Sequence, residues 1–234
     1  MAKPYGRKTR QKVGKILHSQ DRTQALEQLT KIPDMQLVGH LFSHFYATDE
    51  LIRFRSITAM GQLGERLASR HMENARNLMR RLMWNLNDES GGIGWGSAEA
   101  MGEIMGRSRA LADEYASILF SFLDPKANYI DNPFLQQGIL WGVGTCVSAF
   151  PGKLTPHLAG LIALFLDAED DTKKAYAVRA LADAGSLGAD RLPGHILADT
   201  QMIPLYTGWH FEPTRICDIA LTCFPQTGQG SENG

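Results

Sequence analysis

Arg55-Ser56-Ile57-Thr58-Ala59-Met60-Gly61 aligns with Gly96-Ser97-Ala98-Glu99-Ala100-Met101-Gly102, with Gly138-Ile139-Leu140-Trp141-Gly142-Val143-Gly144 and with Arg179-Ala180-Leu181-Ala182-Asp183-Ala184-Gly185. The closing glycines stand at 61, 102, 144 and 185, in steps of 41, 42 and 41. A period near 40 is the mark of stacked helical pairs. Small residues recur in register because successive first helices lie side by side and their backbones come close. No single pair buries its apolar face alone, so each neighbour must cover it.

Working outward, apolar residues recur at helical spacing on both sides of these stretches. Leu26, Leu29 and Ile32 mark one short helix, and Met35, Val38, Leu41, Phe42 and Phe45 a second after Pro33. Leu51 to Leu67 gives a third and residues 72–86 a fourth. Helices are then expected near 94–106, 108–123, 133–149, 154–166, 172–186 and 190–198. No sustained alternation appears before residue 200, so the fold class is all-α: an α-solenoid of about five helical pairs.

The four stretches resemble the HEAT-repeat family, including the arginine near the middle of the first helix at Arg55 and Arg179. Gly96 and Gly138 stand at that position in the two units between them, a departure from the family pattern. The resemblance covers roughly residues 20–200 and implies the fold alone. The segment Trp84 to Ile104, with Leu140 to Gly144, also looks like a group of bacterial HEAT-like proteins that carries no assigned activity.

The ends read differently. Residues 1–19 form a basic N-terminal arm, with Lys3, Arg7, Lys8, Arg10, Lys12 and Lys15 and no acid between them. It is expected to be a solvated, partly disordered terminus. Residues 20–200 are the repeat domain. In 201–225, Met202 to Tyr206 and Trp209 to Phe211 read as a short hairpin turning at Thr207-Gly208. Thr214 is then expected to cap a last helix over Arg215 to Cys223. This unit would cover the exposed end of the stack. Residues 226–234 are a flexible Gly/Ser/Gln-rich tail.

Composition narrows the function classes. The 234 residues carry 24 basic and 25 acidic side chains, so no global field draws nucleic acid or an anionic membrane. Three cysteines with no C-x-x-C spacing fit a reducing compartment. The N-terminus lacks the apolar core of a signal peptide, and no apolar run reaches the roughly 20 residues that span a bilayer. A cytoplasmic protein without a membrane partner is expected.

The stretch from Trp84 to Ile104 is the least ordinary: two tryptophans flank a glycine-rich turn, with Asp88, Glu89, Glu99 and Glu103 close by. Glu99 and Glu103 are i, i+4 and are expected to share a helix face, with Arg80 or Arg81 as neutralising partners. The turns at 87–93 and 124–132 are expected on one edge of the stack, where Asn87, Asp88, Glu89, Asn128, Asp131 and Asn132 converge. Their spacing matches no calcium loop. Trp84, Trp95 and Trp141 are core or groove residues. His40 and His44 are i, i+4 but have no third ligand. Ser90 to Gly96 lacks the Gly-Lys-Ser/Thr end of a phosphate loop. No metal or cofactor is expected.

These residues set the functional expectations. The first is a binding or scaffold protein, holding a protein partner on its concave face and inter-repeat edge. The second is a small-ligand carrier, or a lyase-type enzyme, with a site near residues 84–104. The third is nucleic-acid binding through the basic arm.

Overall fold

A computed structural model of the protein describes residues 4–87, 94–183 and 192–222. Asp88, Glu89, the turn through Ile93, Gly185 and the tail lie outside the described residues. The chain is mostly helical, with one small antiparallel sheet.

Local chemistry fixes where the helices begin. α1 (Pro4–Leu17) and α2 (Arg22–Thr30) are separated by Asp21, whose side chain accepts from the Gln24 amide and caps α2. Pro33 precedes α3 (Asp34–His44). Asp49 caps α4 (Glu50–Arg70) by accepting from the Leu51 amide, and α5 (Met72–Leu86) follows. Gly96 starts α6 (Ser97–Arg107) with φ +72°, a conformation open to glycine, and the Phe45 ring leaves no room there for a Cβ. Beyond α7 (Arg109–Ser121), Asn132 accepts from the Phe134 and Leu135 amides to cap α8 (Pro133–Ala149). Thr155 caps α9 (Pro156–Ala163), and Pro133 and Pro156 occupy the first helical positions, where no amide is needed. α10 (Asp171–Asp183) and the short α11 (Gly194–Leu197) follow.

Helices α4, α6, α8 and α10 lie side by side and pack most extensively on one another. The in-register small residues sit where they touch. A Cβ on Gly102 would lie 2.3 Å from the Gly142 carbonyl oxygen, and one on Gly142 would lie 2.3 Å from that of Ala98. Gly61 meets Glu103 between α4 and α6, and Gly144 meets Ala180 between α8 and α10. α5 packs on α4 and α6, and α7 packs on α6 and α8.

The C-terminal unit is a hairpin and a helix. β1 (Met202–Tyr206) pairs with β2 (Phe211–Arg215) in the register Tyr206↔Phe211, across a turn that holds Gly208 at φ +92°. β2 starts at Phe211, because the turn spans Thr207 to His210 with the Thr207 amide donating to the His210 carbonyl. Thr214 is inside β2, so it does not cap α12 (Ile216–Thr222). α12 packs on α10 and α11, but the hairpin turns back toward α4. Tyr206 and Phe211 stack on Phe54 of α4, with ring centroids 5.0 and 5.3 Å away, and Trp141 of α8 is 6.2 Å from Tyr206.

The N-terminal arm is a folded helix. Val13, Ile16 and Leu17 of α1 are buried against the core, an apolar stripe that the run of lysines and arginines hides in the sequence. No helix among the described residues is long and apolar enough to cross a membrane.

Candidate functional site

A cleft of about 540 Å³, counting the space open to solvent, lies between α4, the start of α6, α8 and α10. Its floor is buried and consists of Phe54, Glu99, Leu135, Gly138 and Tyr176. Its exposed rim carries Glu50, Trp95 and Phe134. The Trp95 and Phe134 rings are 6.3 Å apart and stay 38% and 68% exposed.

Glu99 is placed by the packing of α6 on α8. Its carboxylate lies over the bare Cα of Gly138, where a Cβ would come within 2.5 Å of Oε2. Any larger residue at 138 would displace the acid. Glu99 is only 8% exposed, and among the described residues no side chain donates a hydrogen bond to it. Burial pushes its carboxyl above the usual carboxylate range; its own amide and Arg53 pull it down, and Glu50 adds to the rise. Arg53 pairs with Glu50 on the same helix, and its guanidinium is 5.7 Å from the Phe54 ring, while its buried Nε makes no hydrogen bond among the described residues. The Tyr176 hydroxyl is also pushed up, by burial and by the Glu50 and Glu99 carboxylates. Gln137 donates from Nε2 to Asp170 at 2.7 Å, and its Oε1 accepts no hydrogen bond from the described residues.

The candidate residues separate. Glu99 and Trp95 belong to the cleft. Glu103 does not join Glu99, because it faces α4: its Cβ lies against Gly61, and Arg107 one turn on donates to it at 2.8 Å. Neither arginine expected to neutralise the pair does so. Arg80 binds Glu73, and Arg81 stacks 4.1 Å from the Phe42 ring centroid. Trp141 is core, packed on Phe54 and Tyr176 and covered by Arg179 at 4.0 Å. Trp84 is 74% exposed on α5 and is no part of the cleft.

Of the loop polar groups expected to converge, Asp88 and Glu89 lie outside the described residues, and the asparagines among the others make local bonds. Asn87 donates to the Met83 carbonyl at the end of α5. Asn128 donates to Ser121, Asn132 caps α8, and Asp131 is exposed. Short side chains in turns satisfy nearby backbone groups first, and that use consumes them. Asp170 caps α10 in the same way. Among the described residues no group of three or more His, Cys, Asp or Glu side chains is placed to hold a metal.

Phe54, Gln137 and Tyr176 do not stand out in the sequence, but one signal of the site does. In the repeat frame, Glu99 occupies the position of Thr58, Trp141 and Ala182, and all three are buried. An acid at a position that the other units bury is the anomaly that marks the site.

No family model matches the chain. An uncharacterized protein of Archaeoglobus fulgidus is 24% identical over 181 residues, covering 77% of this chain and 92% of that protein. Two crystal structures of engineered proteins align with TM-scores of 0.44 and 0.43, each at 16% identity. They cover 78% and 76% of this chain, and 82% and 48% of their own chains.

Proposed function

We propose that this protein is a small-ligand binding protein, built on a HEAT-like stack of helical pairs, whose site is the Glu99 cleft. The observation that carries this reading is Glu99 itself. A carboxyl buried with no side-chain donor is costly, and perturbed acids of this kind cluster at functional sites. Aromatic walls with a few convergent polar groups are the usual make-up of a ligand pocket. A protein partner on the inter-repeat edge has less support, because Asp49 and Asp170 on that edge are used as helix caps and Asp124 pairs with His157.

A thermal-shift and NMR screen of uncharged, cationic and anionic fragments tests the reading. Hits are expected to perturb Trp95 and Gly138, and Gly138→Val, which fills the floor, is expected to lower their affinity at least tenfold. Hits that leave the Trp95 signals unmoved, or affinities unchanged in Gly138→Val, overturn it.

A second reading rests on α1. Arg7, Lys8, Arg10, Lys12 and Lys15 are exposed, and among the described residues none of them is in an ion pair. Unneutralised bases on one helix fit a phosphate backbone. Replacing Lys8, Lys12 and Lys15 by glutamine is expected to flatten the salt dependence of duplex binding, by about 0.9 in the log–log slope for each phosphate no longer neutralised. A duplex that binds equally well to the triple variant removes this reading.

A further inference from the structure

We propose that the Glu99 cleft takes a primary alkylammonium ligand, with the Glu99 carboxylate as its counter-ion and the Trp95 and Phe134 rings against its alkyl chain. The inference rests on the reading that the cleft is a small-ligand site, and it names the ligand's chemical class.

Charge balance is the first support. The cleft is lined by two acids and one base, and Arg53 is already paired with Glu50. Glu99 is left as the uncompensated group, so a ligand bearing one positive charge completes the site. The rings are the second support. Phe54 and Tyr176 on the floor, with Trp95 and Phe134 at the rim, present aromatic surface, which attracts cations and repels anions. Trp95 and Phe134 also leave apolar surface exposed beside an acid, a combination matched by an ammonium group on a short hydrocarbon chain. The third support is Gln137. With its Nε2 held by Asp170, it offers an oxygen acceptor, and a primary ammonium has three donors to share between that oxygen and Glu99. A quaternary ammonium has no N–H to use there.

The rival occupant is a neutral molecule that accepts a hydrogen bond from protonated Glu99. The two differ in their response to pH. An ammonium ligand needs the carboxylate, so its affinity climbs as pH rises through the Glu99 titration. A neutral acceptor needs the acid and weakens over the same range. The charged and titratable groups facing Glu99 are Glu50 and Arg53 from α4 and Tyr176 from α10. Tyr176 is held neutral well above the pH range used.

The experiment is calorimetric titration of the full chain with n-butylammonium and with its uncharged counterpart n-butanol, between pH 5 and 8. n-Butylammonium is expected to bind at 1:1 and at least tenfold tighter than n-butanol at pH 8, with the preference shrinking toward pH 5. Glu99→Gln keeps shape and hydrogen bonding without the charge, and it is expected to abolish the preference. Phe134→Ala, at an exposed position, is expected to weaken n-butylammonium severalfold without affecting folding. Equal affinity for the two probes, or a preference that survives Glu99→Gln, overturns the cation assignment. If neutral fragments perturb Trp95 while n-butylammonium does not bind, the assignment fails and the small-ligand reading stands. If no fragment of any charge binds the cleft, both fail.

Discussion

Glu99 is a stability cost that the rest of the molecule tolerates. Its folded pKa is raised, with desolvation the main cause, above the ordinary value of 4.5. The sign of the linkage follows. The protonated acid contributes stability that is complete below about pH 4.5 and is lost as pH climbs through the raised pKa. Each tenfold weakening of the acid amounts to about 1.4 kcal/mol of stability lost once the group must ionise. Glu99→Gln stays neutral throughout. The variant is therefore expected to match the wild type in urea denaturation below about pH 4.5 and to exceed it as pH rises toward the raised pKa, with the gain level above it. A difference that is constant with pH would mean that Glu99 ionises freely in the folded protein. Arg55 is buried as well, but it is satisfied. It donates to the Trp209 and Leu17 carbonyls at 2.8 and 2.9 Å and to Gln20 at 3.0 Å. The two buried ionisable groups therefore differ: Arg55 fastens chain segments together, and Glu99 has no side-chain partner among the described residues.

Helix packing shows which glycines the stack needs. Gly102 and Gly142 face backbone on the neighbouring helix, and backbone cannot swing aside as a side-chain tip can. Gly142→Ala is expected to lower stability by about 3 kcal/mol or more, as overpacking of a rigid interface does. A Cβ at Gly39 in α3 or at Gly160 in α9 would meet nothing within 4 Å. Alanine at either is expected to raise stability by about 0.5–1 kcal/mol, through the lower entropy of the unfolded chain and better helix propensity. Denaturant midpoints of the three variants check both directions; a tolerated Gly142→Ala would mean that α6 and α8 can slide apart. The side-by-side packing of α4, α6, α8 and α10 was legible in the sequence because a close backbone approach demands a small residue at a fixed place. The cleft was legible only in part. Trp95 and Glu99 stand beside a glycine-rich turn and attract notice, whereas Phe54 and Tyr176 carry the spacing of ordinary core residues. Their place at the site depends on how α4 and α10 flank α6 and α8, which periodicity does not encode. Glu103 was misleading for a related reason. The i, i+4 spacing puts it on Glu99's side of an isolated helix, but α6 is packed from both sides, and one acid meets α8 while the other meets α4.

At the scale of the molecule, the C-terminal hairpin joins the two ends of the chain. A cap confined to the last helices would affect α10 and its neighbours alone. Here the Trp209 indole Nε1 donates to the Ser19 carbonyl at 2.8 Å, just past α1, and its ring lies 5.1 Å from the Arg55 guanidinium. The Tyr206 hydroxyl is 3.0 Å from Thr58 Oγ1 in the middle of α4. Removal of the hairpin would leave Arg55 without one of its acceptors and the Phe54, Trp141 and Tyr176 cluster open on one side. Phe54 and Tyr176 are also the floor of the cleft, so the hairpin supports the candidate site from behind. Trp209→Ala tests this coupling. Loss of a buried tryptophan is expected to cost about 3–5 kcal/mol. The distribution of that loss is more informative than its size, since local opening reports which elements share a cooperative unit. In hydrogen exchange, amides of α1 and of the 18–20 junction are expected to lose protection along with those of β1 and β2, while α7, which packs on α6 and α8, keeps its own. Protection lost only from residue 192 onward would show that the hairpin belongs to the C-terminal helices alone, and that the N-terminal helix is held by Val13, Ile16 and Leu17 without it.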